Sequence, residues 1–121
     1  MAHHLSAEHI SSELHACIER CSDCHDVCLA TVTYCLQQGG KHAEVDHIRT
    51  LLDCAQICDA SRDFMLRGSG LHHETCRVCA DACERCAESC EQMGDDEQMR
   101  RCAEECRRCA ESCREMAGAA A

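Results

Sequence analysis

Cysteine is the residue of this chain whose type and spacing could do chemistry. Cys17, Cys21, Cys24, Cys28 and Cys35 are separated by 4, 3, 4 and 7 positions, and Cys54 and Cys58 by 4. Cys76, Cys79, Cys83, Cys86 and Cys90 follow at gaps of 3, 4, 3 and 4, then Cys102, Cys106, Cys109 and Cys113 at 4, 3 and 4. Every gap is a sum of threes and fours, the spacing that keeps side chains on one face of an α-helix. A thiolate is a nucleophile, a redox centre and a soft metal ligand. Sixteen of them in helical register among 121 residues is far beyond the one or two buried cysteines that ordinary packing explains.

The elements that must carry these stripes are legible from their breaks. Gly39-Gly40, Gly68-Ser69-Gly70 and Met93-Gly94-Asp95-Asp96 cut the chain into segments 8–38, 41–67, 71–93 and 96–116. Gly39 and Gly94 suit helix ends that need positive φ, and Asp95 with Gln98 reads as a capping box. Short connections force neighbouring helices antiparallel, so the pattern predicts an all-α, up-down-up-down four-helix bundle forming a single domain. The tail 117–121 is expected to fray. Residues 79–93, CADACERCAESCEQM, recur as 102–116, CAEECRRCAESCREM, with every cysteine matched at a constant offset of 23.

In such a bundle the cysteines take the inward positions that leucine normally fills. Leu, Ile and Val together number sixteen, aromatics two and prolines none, which excludes a conventional oily core and disfavours β architectures. From His72 onward the only Leu, Ile, Val or Phe is Val78. The inner face of that half is built from sulfur and alanine.

Acids outnumber Lys and Arg by 22 to 12, a formal charge of −10, so nucleic acid and anionic lipid are poor partners. The opening MAHHLSAEHI contains no apolar run, and no stretch approaches a membrane span. A cytoplasmic location is therefore expected, where thiols stay reduced. Disulfides are disfavoured further because cysteines on one helical face sit about 5–6 Å apart at Cβ, against about 3.8 Å in a bridge.

Metal chemistry leads on these grounds, and soft thiolates select Cu(I), Zn(II) or iron–sulfur clusters. Iron–sulfur sites favour irregular loop spacing and a following proline, both missing here. Isolated zinc sites of four cysteines would each bury a net charge of about −2. Cu(I) avoids that cost. With two sulfurs per ion and two ions per sulfur, the ratio tends to one ion per thiolate and the interior becomes neutral. On that basis the C-x-x-x-C pairs 17/21, 24/28, 54/58, 79/83, 86/90, 102/106 and 109/113 chelate within a helix, while Cys35 and Cys76 bridge toward neighbours. A zinc or iron–sulfur module, and a thiol redox protein or sensor, remain the alternatives. Mid-helix cysteines among acids lack the cationic surroundings and exposure that reactive thiols need. No Ser/His/Asp grouping, phosphate loop or paired-carboxylate cleft suggests an enzyme.

The stripes of C-x-x-x-C on four helices, with CAESC and CAEEC near the C-terminus, resemble the bacterial copper storage proteins over Cys17 to Met116. The resemblance implies a four-helix bundle filled with many Cu(I) ions, all sixteen cysteines as ligands, and assembly as a homotetramer. It points to the family's cytosolic branch and to copper storage and detoxification.

Several other side chains are in phase with the stripes. His47, Met93 and Met99, with His42 nearby, gather at the end where segments one and three finish, and are expected to hand ions inward. His72, Met65 and Met116 lie at the opposite end, where Ile10, Leu14, Phe64, Leu66 and Leu71 are expected to plug the tube. His3, His4 and His9 are expected to be exposed. His25 shares a flanking stripe with Ile18, Leu29, Val32 and Leu36, which packs within the bundle or between subunits.

Overall fold

A computed structural model of the chain describes residues 7–118. Four helices follow one another: α1 (Ser12–Gln38), α2 (Val45–Leu66), α3 (His72–Glu91) and α4 (Glu97–Gly118), with one 3-10 turn at Gly40–Ala43. The architecture is the expected all-α antiparallel four-helix bundle.

The helix limits differ from the sequence reading for local reasons. Segment one begins at Ser12 rather than residue 8 because the Ser11 hydroxyl accepts from the Leu14 N–H at 3.1 Å, a cap that starts a helix. Gly39 (φ 71) ends α1, and Gly40 (φ 56) opens the 3-10 turn Gly40–Ala43, so α2 starts at Val45 rather than 41. α2 stops at Leu66, and α3 runs His72–Glu91 rather than 71–93. The cap of α4 is Asp96, whose Oδ1 accepts from the Met99 N–H at 3.0 Å. Asp95 instead pairs with Arg100 on the surface. At the far end α4 continues through Ala117 to Gly118, past the expected fraying point. Residues 119–121 and the histidines at 3 and 4 lie outside the described residues.

Each helix packs against its two neighbours around a square, and among the described residues no Cα of α1 comes within 8 Å of α3, nor of α2 with α4. The bundle therefore leaves a central bore between its backbones, filled along its length by side chains. Small residues permit the close walls. Ala80, Ala87, Ala103 and Ala110 are buried at matching points of the 23-residue repeat.

Outside, α3 and α4 are laced by Arg107 to Glu91 at 2.7 Å and Arg114 to Glu84 at 2.7 Å. These exposed pairs contribute little each. Across the other seams, Arg62 Nε donates to Ser22 Oγ at 2.7 Å, and Gln98 Nε2 donates to the fully buried Thr31 Oγ1 at 2.9 Å. Of the stripe flanking the cysteines of α1, Ile18 is buried, whereas Leu29 and Leu36 are exposed at 43% and 55%.

Candidate metal centre

All sixteen cysteines are free thiols and every one has zero exposure. The helical register predicted an inward sulfur face, and the four faces meet in the bore. Sulfur reaches across the diagonals that the backbones leave open. Cys24 lies 3.9 Å from Cys83 and Cys28 lies 3.9 Å from Cys86, joining α1 to α3. Cys54 to Cys106 at 4.0 Å and Cys58 to Cys109 at 3.8 Å join α2 to α4.

The sulfurs form overlapping groups whose ligand atoms all lie within 4.8 Å of one another. From one end these are Cys17, Cys76 and Cys113; then Cys21, Cys79, Cys109 and Cys113; then Cys24, Cys58, Cys83 and Cys109; then Cys24, Cys28, Cys54 and Cys106; then Cys28, Cys86, Cys102 and Cys106. Consecutive groups share members: Cys113, Cys109, Cys24, and finally the pair Cys28 and Cys106. The array is one continuous column rather than a set of separate sites. From Cys17 to Cys28 it extends about 17 Å along α1.

The spacing suits soft ions. A metal bonded to sulfur at about 2.3 Å needs its sulfurs about 4.0 Å apart in trigonal and about 4.6 Å apart in linear coordination. Contacts such as Cys24 to Cys54 at 3.7 Å and Cys28 to Cys102 at 3.9 Å require little adjustment to admit one. Within single helices, Cys24/Cys28, Cys79/Cys83 and Cys109/Cys113 approach to 4.0, 3.9 and 3.9 Å. Most close contacts are between helices, so the C-x-x-x-C pair is a smaller part of the geometry than its regularity suggested.

Cys35 and Cys90 stand outside these groups, at the end where α1 and α3 finish. Cys35 Sγ lies 3.3 Å from His47 Nε2 and 3.9 Å from Met99 Sδ. His47 Nδ1 is 2.7 Å from Ser89 Oγ. With the proton on Nδ1 donated to Ser89, the Nε2 lone pair faces Cys35. Burial holds His47 below the usual histidine range, favouring neutral imidazole, and pushes Cys35 up to about 11. Met93 is only partly buried against the core. His42 does not join Cys35 but bonds Asp96 Oδ2 at 3.0 Å, which also accepts from Tyr34 Oη at 2.8 Å.

Deeper in the column the thiols share protons with one another. Contact with Cys106 holds Cys54 low, and contact with Cys109 holds Cys58 high.

At the other end Met65 is fully buried with its sulfur 3.8 Å from Cys76 Sγ. Leu14 is buried beside the column as expected, but Leu71 is 61% exposed. It lies in the turn leading into α3 and cannot plug the bore. The Arg67 guanidinium covers Phe64 at 4.6 Å. His9 is exposed, as expected, with its Nε2 2.7 Å from the Leu66 carbonyl. His72 and His73 bond the carbonyls of Ser69 and Met116.

The sequence reading missed that Leu51, Ser61 and Thr31 complete the inward stripes. On α2 the inward stripe reads His47, Leu51, Cys54, Cys58, Ser61, Met65, at gaps of 4, 3, 4, 3 and 4, with Ala55 buried beside it. The 3/4 period would have found them, but serine and threonine are usually read as solvent-facing.

The copper storage protein family, Csp, matches residues 10–118. The Nmul_A1745 protein of Nitrosospira multiformis is similar in structure, with a TM-score of 0.82 and 47% identity over 87% of this chain and 94% of that one. A Cu(I)-bound copper storage protein, BsCsp3, gives 0.82 and 37% identity over 88% and 100% of the two chains. A cytosolic copper storage protein of Streptomyces lividans, with five coppers, gives 0.78 and 30% identity over 90% and 95%. No curated protein matches the chain.

Proposed function

The chain belongs to the copper storage protein family, and from that premise we propose that its sulfur column takes up Cu(I) to about one ion per thiolate. The observation that carries this reading is the overlap of the sulfur groups, since shared sulfurs are what bridging between monovalent ions requires. We assign all sixteen cysteines as ligands. Each uptake step replaces a thiol proton: Cys–SH and Cu(I) give Cys–S–Cu(I) and a released proton. Charge stays balanced in a dry interior at every stage, which is why the column can fill without counter-ions.

Isolated zinc sites fit less well. The four-sulfur groups share members in sequence, so no more than two can be tetrahedral four-thiolate sites at once. We place copper entry at the end carrying Cys35, where His47 and Met99 face that thiol and Met93 and His42 lie nearby. The protein acts as a cytosolic store that sequesters copper and limits its toxicity, and it catalyses nothing. Among the described residues no helix is long and apolar enough to cross a membrane. The homotetramer implied by the resemblance is supported by apolar side chains turned outward on α1 and α2, including Leu36 and Leu52.

The test is an anaerobic titration of reduced protein with Cu(I) against a chromophoric chelator. Saturation on the order of one ion per cysteine is expected. Saturation near four ions of any kind sinks the proposal.

A further inference from the structure

A column loaded as proposed above has a deficit at its tips. With one ion per thiolate and two sulfurs per ion, every sulfur must bridge two ions. Sulfurs at the two ends cannot, because no ion lies beyond them. An additional thiolate at a tip would supply a bond but would bury uncompensated negative charge. A neutral soft donor supplies the bond with no charge.

The inward face of α2 places neutral donors where they are needed. Of its six buried stripe positions only the middle pair, Cys54 and Cys58, are thiols. His47 ends the stripe at one tip of the column and Met65 at the other. Met65 is fully buried, and its thioether sulfur lies 3.8 Å from Cys76 Sγ. Ser61 Oγ donates toward the same Cys76 sulfur at 3.9 Å. Cys76 groups with Cys17 and Cys113, but Cys113 also belongs to the next group inward. Cys113 is 3.6 Å from Cys21 as well as 3.8 Å from Cys17. The outermost position is therefore left with Cys17 and Cys76 as its own thiolates. Packing alone is served elsewhere in the stripe by Leu51, which has no donor atom and no exposure.

We infer that Met65 is a copper ligand, its thioether completing the terminal site formed with Cys76 and Cys17 at the end of the column opposite His47. This rests on the copper-storage reading and adds a ligand outside the cysteine set. Both tips of the column then end on neutral donors, Met65 at one and His47 with Met99 at the other.

The experiment uses full-length selenomethionine-labelled protein saturated with Cu(I), with X-ray absorption at the selenium edge. Met93→Leu/Met99→Leu/Met116→Leu leaves Met65 as the one methionine besides Met1. A selenium–copper scattering path is expected to persist in that variant and to vanish when Met65→Leu is added to it. Copper bound per chain should fall by about one ion between the two. A path that survives the added Met65→Leu, or is missing from the triple variant while copper still loads, overturns the assignment and leaves copper storage standing. A wild-type chain that binds no copper overturns both. Should the fourfold variant fail to give the wild-type helical circular dichroism, the selenium signal of the triple variant decides alone.

Discussion

Cys35 and His47 meet across the α1–α2 seam, sulfur to Nε2 at 3.3 Å, and Ser89 fixes the imidazole from behind at 2.7 Å. The pairing puts a neutral donor beside the outermost thiol of α1. Replacing His47 with alanine should slow copper uptake by on the order of tenfold, the usual scale for disturbing a metal ligand or its support. Saturation should fall by no more than about one ion. Stopped-flow transfer from a Cu(I)–chelator complex measures the rate. An unchanged rate in H47A would remove the entry assignment.

Asp96 ties three elements together at that same end. It caps α4 through Met99 N–H and accepts from Tyr34 Oη and His42 Nε2 on the α1 side. Losing the cap costs about 1 kcal/mol and the tyrosine bond a similar amount. D96A should lower the apo melting temperature by several degrees, at about 4 °C per kcal/mol for a chain of this size. These bonds hold the Asp96 carboxyl below its ordinary value, against the opposing effect of burial. Its contribution is therefore full above the unfolded value of 3.8 and lost as pH falls below it. A D96A protein melting like wild type at neutral pH would contradict this.

What the sequence made legible, and what it did not, follows from range. The cysteine stripes are local facts, since a 3/4 period fixes a face without knowledge of the neighbour, and all sixteen sulfurs turn inward. The helix breaks at Gly39 and Gly94 are equally local, and both adopt positive φ. The Tyr34–Asp96 bond spans 62 positions, and no spacing rule connects its ends. Asp95 and Asp96 are adjacent and chemically alike, so only the turn geometry chooses which one caps α4. Met65 is in phase with the stripes, but its neighbours Phe64 and Leu66 are apolar and nothing local marks it as a donor. Its sulfur neighbour, Cys76, lies on another helix.

Alkaline pH should weaken the metal-free bundle. Burial, with the nearby Cys102 and Asp96 adding to it, raises Cys35 from 9.0 to about 11. The folded state then holds this proton where the unfolded chain releases it. The associated stability is complete below about 9 and is lost as pH rises through about 11. Melting of apo protein should accordingly drop across that window, read by circular dichroism under reducing, anaerobic conditions. The copper-loaded form should lack the step, because a metal-bound sulfur carries no proton to lose. An apo melting temperature that is flat from pH 8 to 11 would contradict the burial assignment.

Zinc provides the sharpest comparison with copper, because the same sulfurs face a different charge and a different geometry. A tetrahedral ion takes four sulfurs for itself, and the overlaps through Cys109, Cys24, Cys28 and Cys106 leave room for two such sets. One compatible choice is Cys24, Cys58, Cys83 and Cys109 with Cys28, Cys86, Cys102 and Cys106. Each set would retain about two negative charges inside a bore that, among the described residues, buries no Lys or Arg. Zinc should therefore saturate near two ions per chain, and excess Cu(I) should displace it completely. Removing Cys24 and Cys28 together should abolish the central sulfur contacts to Cys54, Cys83, Cys86, Cys102 and Cys106. That double variant should lower copper capacity by about two ions, in step with the thiolates removed. Elemental analysis after gel filtration measures both metals. Equal capacities for zinc and copper would mean that the sulfurs act as separate sites, not as a shared column.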